Sequence, residues 1–182
     1  MERYEIEVWN KNGVLLGNIR HLAQNLKWTK QRNSHETVEF DMDLAKYEDY
    51  ISQIGVASNP YDFMEVLSTD IRIKREGVYL IGANVIKFGY SPSDPSVTMH
   101  VSCTGYLNYF KDQYLDISYS NTPQGDILWG VINQAQTKTG ANFGVTRGVH
   151  TSTSVNRDRN FVRKNVKDFL QQMTNVIGGC LS

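Results

Sequence analysis

Four histidines, two cysteines and two groups of acids are the residues of this chain best suited to chemistry. His21, His35, His100 and His150 have no second His or Cys at i+3 or i+4 on a predicted helix. His100 and Cys103 are three apart on a predicted strand, which sends them to opposite faces and bars them from sharing a metal. No C-x-x-C pair occurs, and Cys103 and Cys180 read as two reduced thiols of a chain made in a cytosol. Glu36, Glu39, Asp41 and Asp43, with Glu48 and Asp49 just beyond, gather carboxylates as calcium binding or acid/base catalysis would. Their alternation with Val38, Phe40, Met42 and Leu44 reads more simply as the solvated face of an amphipathic strand. There is no EF-hand loop, G-x-S-x-G elbow, P-loop or G-x-G-x-x-G. The glycine-containing stretch 142–148 follows a predicted helix and lacks the Lys-Ser/Thr of a phosphate cradle. The expectation is therefore a chain with no catalytic residue, no cofactor and no metal, and not an enzyme.

Two further groups bear on binding. Arg157, Arg159, Arg163, Lys164 and Lys167 form the densest basic stretch, with Phe161 inside it. Three readings stand: a solvated approach to a helix, a salt-bridge seam between subunits, or a groove that stacks and neutralises a nucleic-acid strand. Tyr106, Tyr109, Phe110, Tyr114 and Tyr119 read as core and interface packing more readily than as a sugar-stacking platform.

The elements that would position these residues are mostly strands. Tyr4, Ile6 and Val8 alternate with polar residues, and Asn12-Gly13 follows as a type I′ hairpin signal. Leu26 to Trp28 and 36–44 read as a second antiparallel pair, joined through the polar segment 31–35. Leu44, Tyr47, Ile51 and Ile54 are spaced for a helix that Gly55 closes. A loop is expected at 58–62, strands at 69–75, 78–86 and 97–103, a turn at Glu76-Gly77 and a break at 91–95. The run 105–110 fits a helical turn or a continuing strand, and 114–119 alternates again. Thr122 as N-cap with Pro123 at N1 opens a helix whose stripe is Ile127, Leu128, Val131, Ile132 and Ala135, with Gly140 closing it. Residues 144–159 read as an exposed excursion. A last helix has Asn165 as N-cap, Asp168 at N3 and a Gly178-Gly179 stop. The fold class is mainly β (α+β): a small β-barrel domain with a helical plug over 1–104 and a smaller α+β domain over 105–182.

Composition bounds the rest. The chain has 182 residues, 40% of them hydrophobic, with 19 Lys+Arg against 19 Asp+Glu. Zero net charge removes the simplest route to non-specific nucleic-acid or acidic-membrane binding, and it lowers the repulsion that keeps copies apart. The N-terminus has no apolar signal region, and no apolar run reaches the ~18 residues a spanning helix needs, so the protein is expected to be soluble when made.

Taken in order, these stretches resemble one family. Residues 4–9 with Asn12-Gly13, 25–33 continuing to 39–42, 69–82, Gly105-Tyr106-Leu107 with its aromatic tail, the helix 126–137 and the approach 157–161 are similar to the N-terminal region of the tail hub, or minor tail protein, of long non-contractile-tailed phages. That region is itself similar to the baseplate hub of contractile-tailed phages and to type VI secretion spike bases. The resemblance implies a homotrimer whose β-barrel domains make a pseudo-sixfold ring. It also implies a place at the virion tail tip after synthesis in the bacterial cytoplasm, and a structural role joining tail tube to distal tip and gating DNA passage. The implied partners are further copies, a distal tail protein and a tape-measure protein, with no sequence-specific nucleic-acid recognition and no membrane insertion. Such hubs continue into further domains, and the ending Cys180-Leu181-Ser182 after a helix and Gly-Gly reads as the start of another strand, or else as a frayed terminus. The rival reading is a carbohydrate- or receptor-binding β-module that uses the tyrosines of 106–119.

Overall fold

Alternating apolar positions become strands along most of the chain. The computed structural model describes residues 4–30, 36–56, 59–90, 97–139, 144–149 and 155–177. The expectations placed on 31–35, Ser58, 91–95, Gly140, His150, Gly178-Gly179, Cys180 and Ser182 lie outside them. The chain divides into two units, one built from 1–31 and 35–106, the other from 32–34 and 107–182.

In the first unit, β1 (Tyr4–Trp9), β2 (Leu15–Asn18), β3 (Gln24–Thr29), β4 (Thr37–Asp43), β5 (Asp70–Arg75), β6 (Val78–Tyr90) and β7 (Thr98–Gly105) make one antiparallel sheet. Its order is β2-β1-β5-β6-β7-β4-β3. The β1–β2 hairpin is as expected, but its turn is wider than type I′. Asn10 and Val14 close it with a 3.0 Å backbone bond, and the Asn10 side chain accepts from the N–H groups of Asn12 and Val14. This is a three-residue loop with Gly13 left-handed at φ 74°. The two-residue turn belongs instead to β5–β6, where Glu76 and Gly77 both have positive φ.

The expected barrel is a rolled sheet. Inward residues of β1, β4, β5, β6 and β7, including Ile6, Val8, Phe40, Met42, Ile73 and Val101, belong to a single buried cluster. Laid flat, five strand spacings would separate β1 from β3 by about 24 Å. The rings of Tyr4 and Trp28, one on each, are 5.5 Å apart. The sheet has therefore coiled until its ends meet through side chains, while the hydrogen-bonded ladder stays open between β2 and β3. One helix packs its apolar face against the core of the roll: α1 (Leu44–Ile54) starts at Asp43, which accepts from the Lys46 N–H at 3.0 Å. It ends at Gly55, whose φ of 65° is the left-handed cap only glycine adopts without cost. Tyr47 and Ile51 are buried, with Tyr47 edge-on to Phe63 and Phe88, whereas Ile54 is exposed. The loop expected near 60 contains one helical turn, α2 (Pro60–Phe63), capped by Asn59.

The first unit gives way to the second within a 3₁₀ helix, Tyr106–Phe110, which settles the helical-turn alternative. The second continues with β8 (Tyr114–Pro123), α3 (Gln124–Gln136), β9 (Asn156–Asn165) and α4 (Val166–Ile177). Pro123 is the extended N-cap of α3, with ψ 137°, so the helix starts one residue later than expected and without a side-chain cap bond. The larger correction is β9. The end of the expected excursion, 156–159, opens a ten-residue strand, Asn156–Asn165, paired with β8. Asn165 caps α4 as expected, accepting from the Asp168 N–H at 3.1 Å. Ile127, Val131, Ala135, Leu170 and Met173 of the two helices meet Leu115 of the ribbon in a separate core.

Candidate interaction surface

Pairing of β4 with β7 sets Asp41 opposite His100 and Glu39 opposite Ser102. All four lie on the outward face, while Cys103 turns in as alternation predicts. His100 Nδ1 lies 2.6 Å from one Asp41 oxygen, and Asn25 donates to the other at 2.8 Å. Asn25 reaches it from an irregular step in β3, where its φ is 52°. The Asn25 hydrogen bond, joined by His100, holds the Asp41 carboxyl below its usual value against the opposing effect of burial. With Lys27, Glu39 and Phe40 these residues line an open groove of about 190 Å³. A carboxylate that orients an imidazole is half of a proton-transfer device. Ser102 shares the face, but no hydrogen bond links it to His100 among the described residues, so the nucleophile–base contact is not made. Burial pushes the Cys103 thiol up, away from thiolate chemistry. No group of three or more His, Cys, Asp or Glu is placed to hold a metal among the described residues. His21 packs edge-on against Tyr50, and His35 and His150 lie outside the described residues.

The outer side of β1, β5 and β6 is more highly organised. Register places Glu7 opposite Arg72, Glu5 opposite Lys74 and Trp9 opposite Asp70. Glu7 points away from the core yet is only 6% exposed. Its carboxylate accepts from Lys74 Nζ at 2.5 Å, Trp9 Nε1 at 2.9 Å and the Tyr79 hydroxyl at 3.3 Å. Burial acts to raise the Glu7 pKa, but the bonds from Lys74 and Trp9 outweigh it and hold the carboxyl below its ordinary value. The bond to Glu7 in turn raises the Lys74 ammonium. Lys74 stands 4.4 Å over the Tyr79 ring, and the Arg72 guanidinium stands 4.4 Å over Trp9. Tyr106 completes the plate by lying across Gly82, where an added Cβ would come within 2.6 Å of its hydroxyl. Burial, with the charge of Asp70, pushes the Tyr106 hydroxyl up to about 12.

In sequence, Trp9, Arg72 and Lys74 read only as the polar sides of strands. The missing information is that β1 pairs with β5, some sixty residues on, which turns two alternating patterns into one interlocked surface. Trp, Tyr and Arg fixed in place are the residue types that dominate interface energetics, because little side-chain freedom remains to be lost on contact.

The other sequence candidates separate. Phe110 is buried and Tyr119 packs against Gly130 of α3, so these two turn inward, whereas Tyr114 is 55% exposed. Within 144–149, Val145 exchanges two hydrogen bonds with Gln136, and Arg147 bonds Asp126, which ties the segment to α3. Phe161 of the basic stretch faces inward, its ring 4.6 Å from that of Phe169.

No family model and no curated protein matches the sequence. Solved structures do match the fold. A tail protein from Neisseria meningitidis MC58 aligns over 96% of this chain and 46% of its own, at 10% identity and a TM-score of 0.58. The 43 kDa tail protein of prophage MuSo2 from Shewanella oneidensis aligns over 94% of this chain and 49% of its own, at 14% identity and a TM-score of 0.57. The chain has a phage tail-protein fold. It spans about half the length of these two tail proteins. An Escherichia coli component of the type VI secretion system aligns at a TM-score of 0.45, too low to add to the argument.

Proposed function

We propose that the chain is a structural part of a phage tail tip or baseplate hub, joining the tail tube to the distal tip and gating DNA passage. The observation that carries this reading is a tail-protein fold extending over nearly the whole chain, through both units, at identities too low for sequence alone to have produced the match. The interlocked plate of Trp9, Arg72, Tyr79 and Tyr106 supports it, since a protein acting through contacts needs rigid surface anchors. Its partners on this reading are further copies of itself, with a homotrimer as the assembled form, and the distal tail and tape-measure proteins. Its place is the virion tail tip. Deletion of the gene from the phage or prophage that carries it, with complementation, is the test. Filled heads without working tails, and antibody label at the distal end of complemented tails, are expected. Infectious particles with normal tails in the deletion would sink the reading.

A further inference from the structure

We infer that the outer edge of β9 takes up an extended segment of a different protein as a third strand, and that this segment carries acidic side chains at alternate positions. The inference names a kind of partner and goes beyond the tail reading without depending on it. The ribbon is β8 and β9 alone, so β9 pairs on one side only. Outside the ribbon, no backbone group of the described residues bonds to the backbone of Asn156–Val162. That run of seven residues is about 23 Å long. It holds no Pro, no Gly and no positive φ, and it stops at the bulge where Arg163 has φ 45°. A bare edge of this length is normally blunted or occupied. A third strand would also add to a ribbon that is marginal by itself.

Charge along the edge selects the occupant. Arg157, Arg159 and Phe161 alternate, and Phe161 packs on Phe169, so both arginines stand on that inner side of the strand. Beyond the bulge Lys164 rejoins them, opposite the buried Leu115. None of the three cations forms an ion pair among the described residues. Arg159 donates to the Asp158 carbonyl and Lys164 to Gln172. The acids of the same unit are spent elsewhere. Asp116 and Asp158 accept from the backbone N–H groups of Arg163 and Asn121, Asp112 pairs with Lys111, and Asp126 pairs with Arg147. On the other side of the strand stand Asn160 and Val162, the latter 72% exposed. An added strand gains most by setting carboxylates beside the cations and uncharged side chains beside Asn160 and Val162. A second β9 is the wrong occupant, because it brings cations against cations; the same charges bar like edges and admit an acidic one. A nucleic-acid strand is the weaker occupant, because Phe161, the aromatic within the row, packs on Phe169 and is not presented for base stacking.

The test uses the 182-residue chain and a fluorescein-labelled, end-capped octapeptide of alternating Glu and Val, read by anisotropy. Saturable binding is expected, weakening about tenfold or more between about 50 and about 300 mM NaCl. The same octapeptide methylated on every backbone nitrogen keeps its charges but cannot donate to an edge, and should bind about tenfold or more weakly. An octapeptide of alternating Lys and Val should not bind. R157E/R159E, with circular dichroism as the folding control, should lose the Glu peptide and take the Lys peptide instead. If that reversal disturbs folding, R157Q/R159Q replaces it, with the loss expected and not the gain. In the complex, hydrogen exchange should slow at the amides of Asn156–Val162 and stay unchanged in β3, an edge of the other sheet. No binding of the Glu peptide at about millimolar concentration, equal binding of the methylated peptide, or slowed exchange in β3 and not in β9 would overturn the inference. Binding of oligothymidine that R157E/R159E abolishes, with no uptake of the peptide, would overturn it as well and give the row to nucleic acid.

Discussion

The Tyr119 hydroxyl is buried with no hydrogen-bond partner among the described residues, pressed against Gly130 of α3. An unsatisfied buried hydroxyl forfeits its hydration and gains nothing back, so its removal should help. Tyr119→Phe is expected to raise unfolding free energy by about 0.5–1 kcal/mol in urea titration. Gly130→Ala would gain about 0.5–1 kcal/mol of helix propensity in open space, but here its Cβ meets the hydroxyl, so the single variant should lose stability. In the Tyr119→Phe background that loss should shrink, giving a coupling of about 0.5 kcal/mol or more; strictly additive variants would contradict the packing described. Glu7 makes the other residue-scale case. Its pKa is depressed in the fold, so its contribution is present above the unfolded value and is lost as pH falls through the folded one. Lys74 is raised, so its part is present below the unfolded value and is lost as pH rises through the folded one. Glu7→Gln should therefore cost about 1–2 kcal/mol near pH 7 and less at pH 3, below the ordinary carboxylate value, where the stabilisation carried by the charged form is being lost. A cost that does not change with pH would mean that the carboxylate charge plays no part.

At the scale of elements, what the sequence revealed depended on how local the determining contacts are. The helix at 44–54 was legible because Tyr47, Ile51 and Gly55 carry its period and its stop within eleven residues. Strand β4 was legible because its inner and outer faces differ at every step. Strand β9 was not: the ribbon has solvent on one side, so Asn156 to Asn165 needs few apolar residues, and only Phe161 turns a large apolar side chain inward. The strand is held by pairing with β8, forty residues earlier, and by a bulge where Arg163 takes φ 45° and its N–H reaches Asp116 at 2.8 Å. The same blindness to pairing concealed the plate around Glu7. Asn165 joins β9 to α4 and does two jobs, capping α4 and donating to the Lys111 carbonyl at 2.5 Å. Asn165→Ala should cost about 1–2 kcal/mol, with hydrogen exchange rising first in the opening turn of α4. Faster exchange spread evenly over both units would count against a capping role.

On the scale of the whole molecule, the two units bury very different amounts of apolar surface. The rolled sheet encloses Tyr47, Phe40, Phe63 and Met42 with near-zero exposure, among a large set drawn from five of its strands and the helices and loops between them. The second unit rests a two-stranded ribbon on two helices, around a shorter list of core residues. A ribbon of two strands is marginal by itself and depends on what covers it. Two cores of unequal size give two thresholds for unfolding, since stability tracks the apolar area each unit removes from water. We therefore propose that the units are separate folding domains and that the second opens first. In native-state hydrogen exchange, amides of β8, β9, α3 and α4 should exchange through openings that cost less than those exposing β1, β5, β6 and β7. Urea unfolding should show two transitions, the earlier with the smaller m value because it exposes less surface. Limited proteolysis at intermediate urea should then leave a protected fragment containing 4–106. A single transition, with every slow amide merging at one free energy, would show that the two cores unfold as one.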